Sequence, residues 1–316
     1  MDERLIPLNG LIALTRGDGH WQRALGEMGL RIHLFEAPVF TPEGNIVADV
    51  LIYRVDPPLV LLAECKSGRH IKPVQAGRYL AAEENGIFSA GSLPPALRGK
   101  GTQVTACFAG NEDHRCDLEA SMAQHEIQAP LLTVGDGCAR LTGVDSLGSL
   151  HSFDVRHNSG LPPARFPIDH NSELEEIREL VVPVLIAAQA RQEEFVDVES
   201  VCRDLLPEWP VVGNQAQRSF RRRVDDVLRR LAAGEFGDQL IYEPGTKATQ
   251  ARVRITVTPA ATDPRGTPQS WQARQRRAAR ALGRQRAPIE GQLAFSLEDL
   301  ADAGGVGEDQ EELGER

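Results

Sequence analysis

The sequence predicts an α/β domain followed by a helical domain that ends in a β-hairpin. Strands and helices alternate through residues 1–150, an order typical of one sheet covered by helices. A stretch rich in Gly, Pro, Ser, Asn and His follows, and after it come three helices and two strands. A chain of 316 residues is expected to form two domains. We place these domains at 1–150 and 172–258, with a linker at 151–171 and a flexible tail, Arg-rich and then acidic, at 259–316.

The elements of the first domain follow from local composition. Helical character at His20–Met28 ends at Gly29, and a strand that carries Glu36 comes next. Two apolar runs, Ile46–Tyr53 and Leu59–Cys65, predict a β-hairpin. The remaining predicted elements are a helix that Pro73 begins and Gly86 ends, a strand near Gln103–Phe108, a helix near Leu118–His125 and a strand at Pro130–Val134.

The second domain begins with the capping box Ser172–Glu175, from which a helix runs to about Gln192. A second helix is expected at Asp197–Leu206. A third, Gln215–Ala233, has an apolar stripe at helical spacing, formed by Ala216, Phe220, Val224, Val227 and Leu231. Strands at Gln239–Tyr242 and Ala251–Val257 flank a Pro-Gly turn. Three helices followed by a hairpin is the order of a winged helix-turn-helix domain.

Composition excludes several classes of protein. The longest apolar runs, Leu59–Ala63 and Val181–Ala188, are far shorter than the ~20 residues that span a bilayer. The N-terminus has no basic segment followed by an apolar one, so no signal peptide is expected. Five scattered cysteines form no CxxC pair, which argues against a disulfide framework or a structural zinc site. We therefore expect a cytoplasmic protein with no membrane partner.

Charged residues lie inside the two strands of the predicted hairpin, among apolar neighbours. Asp49 is in the first strand, and Glu64 and Lys66 flank Cys65 at the end of the second. If the hairpin closes symmetrically over Val55–Pro58, residues whose numbers sum to 113 face each other, which pairs Asp49 with Glu64. Glu64 and Lys66 are two apart and share a face. Because a buried carboxylate needs a partner, two carboxylates and one ammonium in one place suit a hard divalent cation such as Mg²⁺.

The scarcity of lysine adds to this interpretation. The chain has 31 arginines and only four lysines. A lysine at the end of a buried strand therefore indicates that an ammonium is specifically needed. This compact point charge can orient a water molecule or stabilise a pentavalent phosphate without the fork of a guanidinium.

These residues resemble the signature of a nuclease superfamily. Asp49, then fourteen residues, then Glu64-Cys65-Lys66 resembles the D…(D/E)xK metal-binding motif of the PD-(D/E)XK superfamily, although Ala48 stands where the name motif has Pro. Gln75–Tyr79 is similar to the QxxxY motif of the RecB-like branch, and its i,i+4 spacing sets both side chains on one helix face. Arg16–His20 resembles the Gly…His motif of that branch. The resemblance covers residues from about 12 to 135.

The resemblance implies a restriction-endonuclease-like mixed sheet flanked by helices and metal-assisted phosphodiester hydrolysis. It implies a catalytic set of Asp49, Glu64, Lys66, Gln75 and Tyr79. It implies a set of Mg²⁺ or Mn²⁺ ligands formed by Asp49, Glu64, the Cys65 carbonyl and His20. Lys66 would orient the attacking water, and Gln75 and Tyr79 would support the site or contact DNA.

Each assignment has a simpler alternative. The charged trio on the strands also suits a cross-strand salt bridge on an exposed sheet face. The QxxxY pair suits a helix surface with one half-buried tyrosine, and His20 suits a partly buried histidine next to Trp21. Glu27 from the first helix and Glu36 from the strand after it are alternative acids for the site.

Positive charge is concentrated in blocks although the net charge is −10. Residues 214–232 hold six arginines against two aspartates, 263–288 hold seven against one aspartate, and the last 28 residues hold nine acids against one arginine. Attraction of a polyanion is local, on the scale of a Debye length of about 8–10 Å. We therefore predict a DNA-binding set of Arg218, Arg221, Arg222, Arg223, Lys247, Arg252 and Arg254. The alternative is a solvated helix face.

The arginines of 274–286 suggest a flexible DNA-binding arm. The acidic tail that follows is hypothesised to compete with DNA for these arginines.

The sequence thus predicts a Mg²⁺-dependent deoxyribonuclease, acting as an endonuclease or an exonuclease on DNA. The chain has no GxxxxGK[ST] motif, and analogy suggests restriction, phage defence or repair, with protein partners or as a homo-oligomer. Two alternatives stay open: an RNA nuclease, and a non-catalytic DNA-binding regulator or assembly subunit that keeps a nuclease fold as a scaffold. Metal binding through Asp49 and Glu64 separates the enzyme from the scaffold.

Overall fold

A seven-stranded mixed sheet organises the first part of the chain in the computed structural model. Its strands are β1 (Arg31–Val39), β2 (Ile46–Val55), β3 (Pro58–Cys65), β4 (Gln103–Asn111), β5 (Leu131–Gly135), β6 (Cys138–Thr142) and β7 (Phe153–Arg156), arranged in chain order. The pairs β3–β4 and β4–β5 are parallel, and the other pairs are antiparallel. The structure describes residues 5–17, 20–143, 150–156, 160–168, 172–246 and 249–256.

Helices flank this sheet, which confirms the predicted α/β class. They are α1 (Leu5–Arg16), α2 (Ala24–Glu27), α3 (Pro73–Leu80), α4 (Glu84–Ser89) and α5 (Arg115–Gln124). Helix α1 packs on β4 and β5, while α3 and α5 pack on β4. Helix α1 is not among the predicted elements, because Leu5–Thr15 is buried on every side and carries no amphipathic stripe. Helix α2 is also shorter than the predicted His20–Met28.

The β2–β3 hairpin has the register that the sequence predicts. Val50 lies opposite Ala63, and the numbers of every pair in this ladder sum to 113. One further step in the same register leads to Asp49 and Glu64. Both residues therefore lie at the end of the sheet where β3 terminates, on neighbouring strands.

The prediction of a single helix from Pro73 to Gly86 is wrong. The chain forms α3 and α4 instead, separated by an extended residue, Glu83 (φ −127°, ψ 161°). Gly86 lies inside α4, where a Cβ atom would be 1.9 Å from the carbonyl oxygen of Phe40. The glycine is needed for this close approach of α4 to the chain after β1, and it does not end a helix.

The second part contains three helices and a small antiparallel sheet. The helices are α6 (Leu174–Ala190), α7 (Val198–Leu205) and α8 (Asn214–Ala233), and the strands are β8 (Phe195–Asp197), β9 (Leu240–Glu243) and β10 (Arg252–Ile255), in the order β8-β10-β9. The predicted apolar stripe of α8 is buried. The capping box uses Glu173 and Glu176, one residue beyond the predicted pair. Strand β8, with only three residues, is too short to show an alternating pattern in the sequence.

The helical part contacts the first part of the chain through β1 and through the end of α1. The Gly213 N–H donates to the Phe35 carbonyl at 2.7 Å, and the two guanidinium nitrogens of Arg16 lie 2.5 and 2.6 Å from the Glu208 carboxylate. Strand β7 lies within the predicted linker and completes the sheet beside β6. No helix among the described residues combines the length and apolarity that crossing a membrane requires.

Candidate active site

Three charged side chains are buried together where β3 ends. Asp49, Glu64 and Lys66 are 7%, 9% and 9% exposed. Alternation along β3 sets Glu64 on the face that Val60 and Leu62 share, and both belong to the core against which α3 packs. This burial excludes the alternative of a salt bridge on an exposed sheet face.

The Glu64 carboxylate is the centre of a hydrogen-bond network. Its Oε1 accepts from Lys66 Nζ at 3.0 Å and from Gln75 Nε2 at 2.6 Å, and its Oε2 accepts from the Tyr79 hydroxyl. Lys66 Nζ also donates to Gln75 Oε1 at 2.6 Å, which closes a ring of three side chains. These bonds occupy three of the roughly four acceptor directions of a carboxylate.

Asp49 lies just beyond the last main-chain pair of the β2–β3 ladder, Val50–Ala63, and its side chain binds the backbone of β3 in place of a further main-chain pair. Its Oδ2 accepts from the Cys65 N–H at 2.6 Å. On the other side of β3, the Lys66 N–H donates to the Ala109 carbonyl at 2.7 Å. The backbone of Cys65 and Lys66 is thus held from both neighbouring strands, which fixes the origin of the lysine side chain.

Tyr79 is buried in the core beneath this network, and only 1% of it is exposed. Its hydroxyl also lies 2.9 Å from the Val47 carbonyl oxygen. Burial, and then the negative charges of Glu64 and Asp49, raise the pKa of Tyr79 well above its usual value. The phenol is therefore a neutral donor to Glu64 at physiological pH, and the alternative of a half-buried tyrosine on a helix surface is excluded.

Phe108 also belongs to the site, although no motif in the sequence marks it. It lies opposite Glu64 in the parallel β3–β4 ladder, and Lys66 Nζ is 5.9 Å from its ring centroid. Its ring also faces that of Tyr79 at 6.2 Å. A phenylalanine in an apolar strand does not stand out in the sequence. Only the β3–β4 register shows that the Phe108 ring packs beneath the Lys66 ammonium.

Of the other candidate ligands, Glu36 stands opposite Asp49, because the residue numbers of the β1–β2 pairs from Leu34 to Val39 sum to 85. His20 is exposed in the turn region after α1, Glu27 is exposed in α2, and Glu36 is partly buried in β1 at φ 51°. Within the described ranges, no group of three or more His, Cys, Asp and Glu side chains could hold a metal ion. Two carboxylates with a nearby carbonyl still fit Mg²⁺, which typically takes one or two carboxylates and retains water.

The arginines of α8 divide into two kinds. Arg218 and Arg222 are exposed one turn apart. Arg221 Nε donates to Glu199 Oε2 at 2.5 Å, and this bond lowers the pKa of Glu199. Arg223 donates to the Ser172 carbonyl. Of the predicted DNA contacts on this helix, two therefore face solvent and two contact the protein itself.

The predicted contacts of the hairpin are also partly engaged. Arg252 Nε donates to Glu243 Oε2 at 2.8 Å, and its guanidinium lies 3.9 Å from the centroid of the Phe195 ring. Arg254 Nε is 3.6 Å from Glu243 Oε1. Lys247 lies outside the described residues, as do the predicted Arg-rich arm and acidic tail.

Comparison of the chain with family models, with curated proteins and with solved structures finds no match. Function is therefore argued from the site itself.

Proposed function

We propose that the protein is a metal-dependent nuclease of the PD-(D/E)XK type that hydrolyses DNA phosphodiester bonds. The observation that supports this proposal is the burial of Asp49, Glu64 and Lys66 where β3 ends. Glu64 and Lys66 form one hydrogen-bond network with Gln75 and Tyr79, and Asp49 accepts from the N–H of the intervening Cys65. Buried ion pairs are weak stabilisers, because the loss of hydration offsets most of the attraction between the charges. A chemical role explains this costly arrangement better than a structural one.

In this proposal Asp49, Glu64 and the Cys65 carbonyl hold Mg²⁺ or Mn²⁺. The bound cation supplies Lewis-acid chemistry, polarising the phosphodiester and lowering the pKa of water. Lys66 is positioned by Glu64 and Gln75, which take two of its three N–H donors. Its third N–H has no hydrogen-bond acceptor among the described residues and is suited to a water or a phosphate oxygen. Tyr79 holds the second oxygen of Glu64 in place.

We propose further that the second part is a winged helix-turn-helix domain that contacts DNA. The order α6-β8-α7-α8-β9-β10 supports this proposal. Arg218 and Arg222, exposed on α8, are suited to phosphate contact, since phosphate neutralisation supplies most non-specific affinity. Arg221 and Arg223 instead fix α8 to the rest of this part.

The test is cleavage of linear, circular and single-stranded DNA and of RNA, with Mg²⁺, with Mn²⁺ and with EDTA. Lys66→Ala and Asp49→Ala are each expected to lower the rate about 100-fold or more, as loss of an electrostatic group in an active site typically does. Lys100→Ala is the matched control, because Lys100 is exposed before β4, at the opposite end of the parallel strands. Cleavage that survives in both site variants would refute the assignment.

One observation favours a second candidate, a non-catalytic DNA-binding scaffold. Glu64 already accepts three hydrogen bonds, which reduces its capacity as a ligand. Calorimetric titration with Mn²⁺ separates the two functions. The nuclease is expected to bind the ion and to lose binding in Asp49→Ala, whereas a scaffold that binds DNA would show no Mn²⁺ binding in either protein.

A further inference from the structure

The segment Ser67–Lys72, here called the basic loop, connects β3 to α3 beside the candidate site. It contains three basic side chains, Arg69, His70 and Lys72, and no acid. All three are exposed. In a chain with a net charge of −10, this is a local concentration of hydrogen-bond donors suited to anions.

Chain geometry keeps the basic loop next to the reacting groups. Lys66 directly precedes the loop and Gln75 lies three residues after its end, and these two side chains are joined by the 2.6 Å bond from Nζ to Oε1. The loop must therefore leave the site and return to it. No loop residue is more than three residues from Lys66 or Pro73, which limits its Cα to about 10 Å from one of them. That reach corresponds to roughly three nucleotides at 3.4 Å per nucleotide of one DNA strand.

The basic loop is anchored at one point and otherwise faces solvent. Ile71 is 1% exposed, and its N–H donates to Ser121 Oγ at 3.1 Å, which ties the loop to α5. Arg69 Nε lies 3.7 Å from Asp117 Oδ2, in a pair whose side chains are 66% and 46% exposed. Exposed pairs of this kind contribute little, because water screens them. Arg69 can therefore exchange Asp117 for a phosphate at small cost.

We propose that the basic loop binds the phosphates of a nucleic-acid strand on either side of the bond at the site, with Arg69 and Lys72 as positioning residues and His70 as a further donor. This inference rests on the proposed function and deepens it: recognition at the site is directed to the sugar–phosphate chain. The contacts are made to the backbone, so they select a polyanion and carry no base sequence.

The test compares two double variants that remove the same charge. Arg69→Gln/Lys72→Gln changes the loop, and Arg98→Gln/Lys100→Gln changes exposed residues before β4, at the far end of the parallel strands. Anisotropy of a labelled DNA single strand and of its duplex, in EDTA, measures binding without cleavage. The loop variant is expected to bind roughly five- to thirtyfold more weakly. Its slope of log affinity against log salt should fall by about 1.4 to 1.8, or about 0.7 to 0.9 for each of two phosphates.

A variant that is expected to bind DNA more tightly distinguishes a lost contact from misfolding. Asp117→Asn releases Arg69 and removes a negative charge beside the loop, so it should tighten binding by about two- to fivefold. Circular dichroism checks that each variant is folded. The proposal is overturned if the loop and control double variants bind alike, if Asp117→Asn weakens binding, or if the wild type binds neither DNA.

Cleavage by the same proteins keeps this inference separate from the proposed function. If the wild type cleaves, the loop variant is expected to raise KM with kcat within about threefold, since positioning contacts act on ground and transition states alike. If the wild type cleaves and the loop variant binds DNA as tightly as the wild type, the proposed role of the basic loop is refuted and the proposed nuclease activity stands. Loss of binding in the loop variant of a protein that never cleaves would refute the nuclease and leave the loop as a nucleic-acid contact.

Discussion

Removing the hydroxyl of Tyr79 tests the hydrogen-bond network at its most buried point. Tyr79→Phe keeps the ring and its packing against Phe108 and deletes only the donor to Glu64. A hydrogen bond to a charged group is typically worth about 1.5–3 kcal/mol, and the acceptor left behind is buried. We therefore expect the free energy of unfolding to fall by about 1.5–3 kcal/mol.

Urea unfolding at neutral pH measures this loss, and Tyr53→Phe is the matched control. Tyr53 lies in β2, its ring packs against His33 at 5.8 Å, and its hydroxyl has no hydrogen bond to a described residue. The control should lose no more than about 0.5 kcal/mol. Equal losses in the two variants, or no loss in Tyr79→Phe, would refute the role of the phenol in holding Glu64.

The same pair of variants gives a prediction at alkaline pH. Burial and the nearby carboxylates raise the pKa of Tyr79 in the folded protein, whereas the unfolded chain titrates near pH 10. The folded state then binds this proton more tightly, so the stability it contributes is complete below about pH 10 and declines as the pH rises further. Tyr79→Phe lacks this decline. The stabilities of wild type and Tyr79→Phe should therefore converge above about pH 10, and a constant difference would contradict the raised pKa.

Two further predictions concern packing and thiol reactivity. Gly86→Ala should lower the free energy of unfolding by about 2 kcal/mol, because its Cβ would clash with the Phe40 carbonyl. Gly68→Ala should be nearly neutral, because an added Cβ there would have no atom beyond the adjacent residues within 4 Å. Urea unfolding measures both variants. Burial raises the pKa of the Cys107 thiol to about 12, so iodoacetamide at pH ~8 should alkylate the exposed Cys116 and spare Cys107 until the protein unfolds. Peptide mapping that finds both labelled at one rate would contradict this.

Local patterns predict the hairpin and mispredict the helix that follows it. Two apolar runs around a short turn fix the parity of the β2–β3 ladder, so the approach of Asp49 to Glu64 follows from arithmetic on residue numbers. Gly86, by contrast, is ambiguous in the sequence, since a glycine is favoured both at the end of a helix and where two backbone segments approach closely. Only the position of the Phe40 carbonyl distinguishes them, and that position is a property of the assembled fold.

The same limit applies to the arginines. Helical spacing identifies the side chains of α8 that lie off the apolar stripe, but it does not identify their partners. Arg221 is held by Glu199, a residue of α7, and that contact depends on how two helices pack. Arg222, its neighbour in sequence, faces solvent. A charge cluster in the sequence thus overstates the number of arginines that are exposed to solvent.

The chemistry of Gln75 explains why an amide closes the hydrogen-bonded ring with Glu64 and Lys66. Its Nε2 donates to Glu64 and its Oε1 accepts from Lys66. A carboxylate in this position could not donate to Glu64, and an ammonium could not accept from Lys66, so only a side chain with both functions closes the ring. The position of the lysine nitrogen is then determined by a neutral group as well as by its ion pair. An ion pair that only stabilised the fold would not need this second restraint, whereas an ammonium that must point one N–H at a water or a phosphate does.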